Sequence, residues 1–176
     1  MTLVVIRRNC LDKAEYDMKL DVGCGAFHRG DVNCDMFKSD IGHRTGRKDI
    51  LGAKVKAPNF VLCDVVRLPF RSDSFEEVVS HHVIEHVDNP FEMLKEMVRV
   101  SQDRVVVFCP HELGERATQR RNPFHKGYFK KSWFLNASRA LRVHSVVVSY
   151  SKLRGFPSEF LPILMLPFEL KTEIRK

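Results

Sequence analysis

The chain has 176 residues, 44% of them hydrophobic and 29% charged, and carries a formal net charge of +7. That is chain enough for one domain, and no apolar run reaches the roughly 18 residues that a membrane-crossing helix needs. Five cysteines, odd in number and without a C-x-x-C pair, argue against a disulfide framework or a zinc ribbon. The expectation is a soluble, cytoplasmic protein with reduced thiols and no resident metal.

Residues 3–6 are apolar and read as a short strand or the start of a helix. Residues 19–23, Lys-Leu-Asp-Val-Gly, read as a buried strand, because the run is short, apolar and closed by a glycine turn. Residues 32–35 give a second short strand. Residues 36–58 hold three glycines and six Lys/Arg against two acids, and read as a long basic loop with one helical turn near Ile50. Residues 59–64 and 77–81 are the third and fourth strands, separated by turns pinned by Phe70 and Phe75.

Asn89 as N-cap, Pro90 at the first helical position and Glu92 three residues after the cap mark a helix start, with Phe91, Leu94 and Val98 on one face. Residues 104–109 form a fifth strand stopped by Pro110, and residues 130–141 a second helix. Residues 143–150 and 168–174 give the sixth and seventh strands. Strands alternating with helical segments predict an α/β fold, a doubly wound and mostly parallel sheet with an antiparallel edge strand. No repeat or linker divides it, so residues 1–176 read as a single domain.

In a doubly wound sheet, ligands bind at the carboxyl ends of the strands, where strand order reverses. Here the first strand opens into Gly23-Cys24-Gly25, and the second and third close on the single acids Asp35 and Asp64. An ionised carboxylate only accepts hydrogen bonds, which suits a ribose diol or an adenine amino group. The glycines let backbone approach a charged tail. This is the layout of a nucleoside-cofactor site.

LDVGCG, the acid closing DVNCD, and CDVVRLPFRSDSFEEVVSHHVIEHVDNPFEMLKEMVRV follow one another in an order that resembles class I S-adenosylmethionine-dependent methyltransferases of the type 11 small-molecule group. The resemblance covers residues 19–109. It implies a Rossmann-like fold in which residues 19–109 hold S-adenosyl-L-methionine and residues 110–176 face the acceptor. It implies that Asp21, Gly23, Cys24 and Gly25 hold the amino-acid end of the cofactor. Asp35, with Met36 beside it, would take the ribose hydroxyls. Asp64 would lie near the adenine amino group with Val65 on the ring, and Ser80 and His81 would flank the sulfonium.

The sequence departs from the family in one place. Residues 26–34 alone separate Gly25 from Asp35, fewer than the dozen or so that a parallel crossover normally takes. The helix that family members carry there is therefore expected to be replaced by a compact loop. That removes a helix N-terminus from the cofactor carboxylate, and Arg29 or His28 is expected to supply the missing positive charge.

Other readings of the same residues are weaker. A dinucleotide fingerprint needs a third glycine where His28 stands. His82-Val83-Ile84-Glu85-His86 matches the inverted zinc-peptidase pattern, but Asp88-Asn89-Pro90 restarts the chain before an active-site helix has room. Cys109 before Pro110 reads as structural.

Methyl transfer needs a base only when the acceptor must lose a proton. His82, His111 and His125 are the candidates, with His81 beside them. Arg116, Arg120, Arg121, Lys126, Lys130 and Lys131 interleave with Phe124, Tyr128, Phe129 and Trp133. Basic plus aromatic suits a small phosphorylated or nucleotide-linked acceptor, with RNA as the alternative. A non-catalytic subunit that binds a protein partner is the third reading. The apolar, proline-broken residues 156–170 read as core, as a lid or as a homodimer surface.

Overall fold

Seven strands form one sheet in the computed structural model, which describes residues 17–39, 52, 54–113, 124–152 and 167–176. They are β1 (Lys19–Val22), β2 (Val32–Asp35), β3 (Phe60–Leu62), β4 (Phe75–His81), β5 (Ser101–Pro110), β6 (Ser145–Lys152) and β7 (Pro167–Arg175). Their order is β3-β2-β1-β4-β5-β7-β6. β1 to β5 pair in parallel. β7 runs antiparallel between β5 and β6, so the reversed strand lies one place in from the edge.

Apolar residues two apart on β1, β4 and β5 put Leu20, Val22, Val78, Val105 and Val107 into the core. α1 (Pro90–Val100) starts as its sequence dictates, with Asn89 Oδ1 accepting the Glu92 N–H at 3.3 Å. Its buried stripe is Met93, Leu94, Met97 and Val98, and Phe91 is only half buried. The stripe is therefore turned from the Phe91–Leu94–Val98 face expected, because the two methionines fill the gap against the sheet. α2 (Lys131–Leu141) buries Phe134 and Ala137 and ends at Arg142, whose φ is +55°.

The boundaries differ where tertiary pairing extends or trims a run. β4 begins at Phe75 and β5 at Ser101, directly after α1, because these residues pair with each other. β3 stops at Leu62, leaving Cys63 and Asp64 to the loop. Arg99 clamps that loop on α1, donating to the carbonyls of Phe70 at 2.9 Å and Leu68 at 3.1 Å while pairing with Glu96.

No helix joins β1 to β2, as the spacing predicts. Gly23 N and Cys24 N both donate to Cys34 O, at 2.8 and 3.1 Å. The chain then doubles back so tightly that a Cβ on Gly30 would lie 2.5 Å from Val32 O and 2.6 Å from Asp21 N. Only glycine fits there. Cys24, Cys34 and Cys109 are buried and Cys63 is half buried. Residues 3–6, the helical turn near Ile50, Arg116, Arg120 and Arg121, and most of 156–170 lie outside the described residues.

Candidate active site

The sheet runs outward from β1 in one direction through β2 and β3, and in the other through β4 and β5. The switch point is thus between β1 and β4, and a crevice opens at their carboxyl ends. Gly23 and Gly25 turn the chain there with φ of +73° and +53°. A Cβ on Gly23 would stand 2.4 Å from Val83 Cγ2. The first glycine is therefore required by the packing of the segment after β4 as well as by its own backbone.

The acids of the site do different jobs. Asp21 is buried, and its Oδ2 accepts the Arg29 N–H at 2.7 Å. Burial raises its carboxyl above the usual range, and the Arg29 bond and charge oppose the rise. Asp35 is 0% exposed. Its Oδ2 accepts the Gly25 N–H and its Oδ1 the Phe37 N–H, each at 2.9 Å. Asp64 is exposed, and its Oδ1 accepts the Val66 N–H at 3.1 Å. Val65 turns into the hydrophobic core. Met36 is exposed beside Asp35.

At the end of β4, Ser80 lies opposite Val22 in the sheet register. Its hydroxyl is buried without a hydrogen bond. His81 stacks on Phe108, ring centroids 4.1 Å apart and nearly parallel. Burial and the charges of Arg29 and His82 lower its pKa to about 4. The Arg29 guanidinium also donates to Phe27 O at 2.9 Å, which folds it back over its own loop.

His82 adopts φ of +54°. Its Nε2 is 2.9 Å from Glu169 Oε1 and its Nδ1 3.3 Å from Glu85 Oε1. Burial works against protonation, yet the two carboxylates outweigh it and raise the pKa to about 9. His82 is therefore a cation at neutral pH, not a free base. His111 is buried after β5, where Nδ1 accepts the Leu113 N–H at 3.1 Å and the ring meets Tyr150 edge-on. His125 packs edge-on against His86, centroids 4.8 Å apart.

The structure thus brings the glycine turn, Asp21, Asp35, Ser80 and His81 to one edge, with Arg29 close enough to act on His81. Sequence reasoning missed the partners of His82. Glu169 is 87 residues away in the chain and carries no local signal, whereas Glu85 stands inside the recognised E-H segment.

The rim of this edge is apolar. Among the described residues, every exposed large hydrophobic except Val147 lies toward the carboxyl end of the sheet: Phe27, Met36, Phe37, Leu62, Leu113, Phe124, Tyr128 and Tyr150. Apolar rim, exposed carboxylate and unsatisfied buried hydroxyl fit a ligand that joins an adenine, a ribose and a charged amino-acid tail.

Fold and site together define a class, the S-adenosyl-L-methionine-dependent methyltransferases. The family model described as a methyltransferase domain matches residues 20–109, just over half of the chain, and the chain belongs to that type 11 family. A methyltransferase of Archaeoglobus fulgidus that depends on S-adenosylmethionine superposes with a TM-score of 0.63 at 15% identity, over 90% of this chain and 85% of that one. A chain from the complex of the Haloferax volcanii Trm112 methyltransferase activator with a methyltransferase gives 0.66 at 14% identity, over 90% and 82%. Magnesium protoporphyrin IX methyltransferase of Synechocystis PCC 6803, with bound cofactor, gives 0.58 at 12% identity, over 90% and 69%.

Likeness at such identities carries the fold. A search of curated proteins by sequence finds no significant match. S-adenosyl-L-methionine is the cofactor. No helix among the described residues is long and apolar enough to cross a membrane.

Proposed function

We propose that the chain methylates a small acceptor bearing a phosphate or a linked nucleotide. When bound, the cofactor supplies an activated methyl group on a sulfonium. The protein's task is to hold donor and acceptor in line and to exclude water, which accounts for much of the acceleration in such transfers.

In this reading Ser80 flanks the sulfonium, and the turn from Gly23 to Gly25, with Cys24 and Asp21 behind it, receives the amino-acid end. Arg29 faces its carboxylate, and Asp64 Oδ2 accepts from the adenine amino group. Asp35, whose oxygens accept the Gly25 and Phe37 N–H groups, faces the ribose hydroxyls. Met36 and Phe37 line the adenosine side. His81, neutral and stacked on Phe108, borders the methyl.

The observation that carries the acceptor class is the rim after β5. Phe124 and Tyr128 are exposed there beside Lys126, Lys130 and Lys131. Lys126 pairs with Asp88 at 2.7 Å and Lys130 with Glu112 at 2.9 Å. The Lys126–Asp88 pair is exposed on both sides and worth about 0–1 kcal/mol, so a phosphate displaces it at little cost, whereas Glu112 is buried and holds Lys130 in place. α2 opens at Lys131 with no acid in its first turn and no side-chain cap, which favours an anion.

The test is calorimetric titration of S-adenosylmethionine and its demethylated product, then a labelled-methyl screen of sugar nucleotides, phosphorylated metabolites and short RNAs. Turnover is expected on a phosphate-bearing small molecule. It should fall in a Lys130→Ala/Lys131→Ala double variant whose cofactor affinity is unchanged. Turnover on RNA alone, with steep salt dependence, would replace the acceptor class. Cofactor binding without turnover on any acceptor would favour a subunit that serves a protein partner.

A further inference from the structure

We infer that Glu85, His86 and His125 form a binding site for a first-row divalent transition-metal ion at the exit of β4. One ligand atom from each of the three lies within 4.8 Å of the others. Ion-to-ligand distances of about 2.0–2.2 Å place ligand atoms roughly 3–3.5 Å apart in a tetrahedral shell, so the three side chains draw together by about an ångström on binding.

The carboxylate gives the site its need for a cation. Glu85 is 1% exposed, and neither of its oxygens has a hydrogen bond of good geometry. Its nearest charge is His82, an ion-pair contact at 3.3 Å that His82 shares with Glu169. A buried carboxylate is costly until it is paired and fully satisfied. A bound dication meets that need from the side on which the two imidazoles stand.

The histidines are arranged as ligands are. His86 Nδ1 is 3.1 Å from Phe124 O. A carbonyl only accepts, so Nδ1 carries the proton and Nε2, which is buried, keeps its lone pair. A backbone acceptor on the distal nitrogen is the usual way a metal-binding histidine is oriented. His125 Nδ1 is buried on the facing loop. That loop is latched to the turn that bears the other two ligands, because Lys126 N and Gly127 N both donate to Glu85 O, at 2.7 and 3.2 Å.

One carboxylate and two imidazoles are borderline donors that suit zinc, cobalt, iron or manganese better than magnesium or calcium. Three protein ligands also leave a position for water or for an oxygen of a substrate. The pair that the inverted zinc-peptidase pattern would use, His82 with His86, is not the one assembled. The turn between them is a three-residue 3-10 helix, and His82 is turned toward Glu169.

The experiment is titration of the full chain with Co²⁺, read by visible absorption, together with metal analysis after zinc loading and dialysis. One ion per chain is expected, with a d–d band of mixed nitrogen and oxygen coordination and no thiolate charge-transfer band. His125→Ala should weaken binding by about 100-fold or more. His144→Ala, an exposed histidine before β6, should bind as the parent does.

Absence of the band, a thiolate band, or parent-like binding by His125→Ala overturns the assignment. Should His125→Ala fail to fold by circular dichroism, Glu85→Gln is read in the same way, and the parent spectrum decides in either case. Cofactor affinity is measured separately without metal, so loss of the methyltransferase reading and loss of this site are distinguishable.

Discussion

Gly23→Ala tests whether the glycine turn is fixed by the segment that follows β4. The new Cβ would lie 2.4 and 2.8 Å from the two γ-methyls of Val83, at a φ of +73°. The backbone term costs about 1–2 kcal/mol for a residue with a Cβ in the left-handed region. Overpacking adds about 1–3 kcal/mol, so the single variant should lose about 2–5 kcal/mol. Val83→Ala removes two buried methyls and should cost about 2 kcal/mol by itself. In the double variant the clash with the γ-methyls disappears, leaving the backbone term, the lost burial and a close 3.1 Å approach of the two Cβ atoms.

The two changes should therefore couple favourably by about 1–3 kcal/mol in a double-mutant cycle. Urea unfolding followed by fluorescence and circular dichroism gives each value, with coincident transitions as the check on two-state behaviour. Strict additivity would refute the reasoning, since it would mean that Val83 does not occupy the space a Cβ needs. Gly30→Ala is the contrast. Its Cβ meets backbone at Val32 O, Asp21 N and Lys19 O, so no side-chain truncation can rescue it.

The two acids at the ends of β2 and β3 should separate cleanly. Asp64→Ala should weaken S-adenosylmethionine binding by about 10-fold or more, as loss of a hydrogen bond to a charged group does, with stability within about 0.5 kcal/mol of the parent; calorimetry and urea unfolding read the two. Asp35→Ala strands the Gly25 and Phe37 N–H groups and should cost about 2–4 kcal/mol of stability, seen as a lower urea midpoint even without cofactor. His81 should make the fold acid-sensitive. Its pKa is about 4 when folded against about 6.5 unfolded, so below pH 6.5 the unfolded chain binds a proton that the native one refuses, and stability falls as pH drops from 6.5 toward 4. Burial sets this first, the charges of Arg29, His82 and Lys19 add to it, and Glu169 opposes it. His81→Phe should flatten that part of the profile, and an unchanged slope would reject the assignment.

Much of this architecture is legible in the chain because its signals are local. Leu20 and Val22 beside a glycine turn, Asn89-Pro90-Phe91-Glu92 at a helix start, and nine residues between Gly25 and Asp35 each act within a few residues. The structure carries all three. What the sequence hides is non-local. A lone acid after an apolar run carries no local sign of its burial, and Asp35 is buried with Phe37 N and Gly25 N donating to it from two sides. Val65 follows Asp64 in sequence but faces the core. His82 reads as a free base until β7 brings Glu169 to within 2.9 Å of it. Gly30 looks like an ordinary loop glycine until β1 and β2 pair around it.

Shortening the crossover changes what the charges of the site must do. With a helix after the glycine turn, free N–H groups would face the cofactor's carboxylate. Here Asp21 and Asp35 each accept one backbone N–H of the crossover, from Arg29 and Gly25, so two acids help hold a turn that a helix would otherwise stabilise. The loop brings Arg29 with it. That guanidinium lies near enough to Asp21 and His81 to perturb both, and this is the mouth of the switch point. In the proposed reading, the compact crossover replaces a helix dipole with the full positive charge of Arg29. Such a charge is screened by salt where an array of buried N–H groups is not. Cofactor affinity should therefore fall with ionic strength in the parent and lose that dependence in Arg29→Ala. A salt dependence that survives the substitution would mean that the positive charge comes from elsewhere.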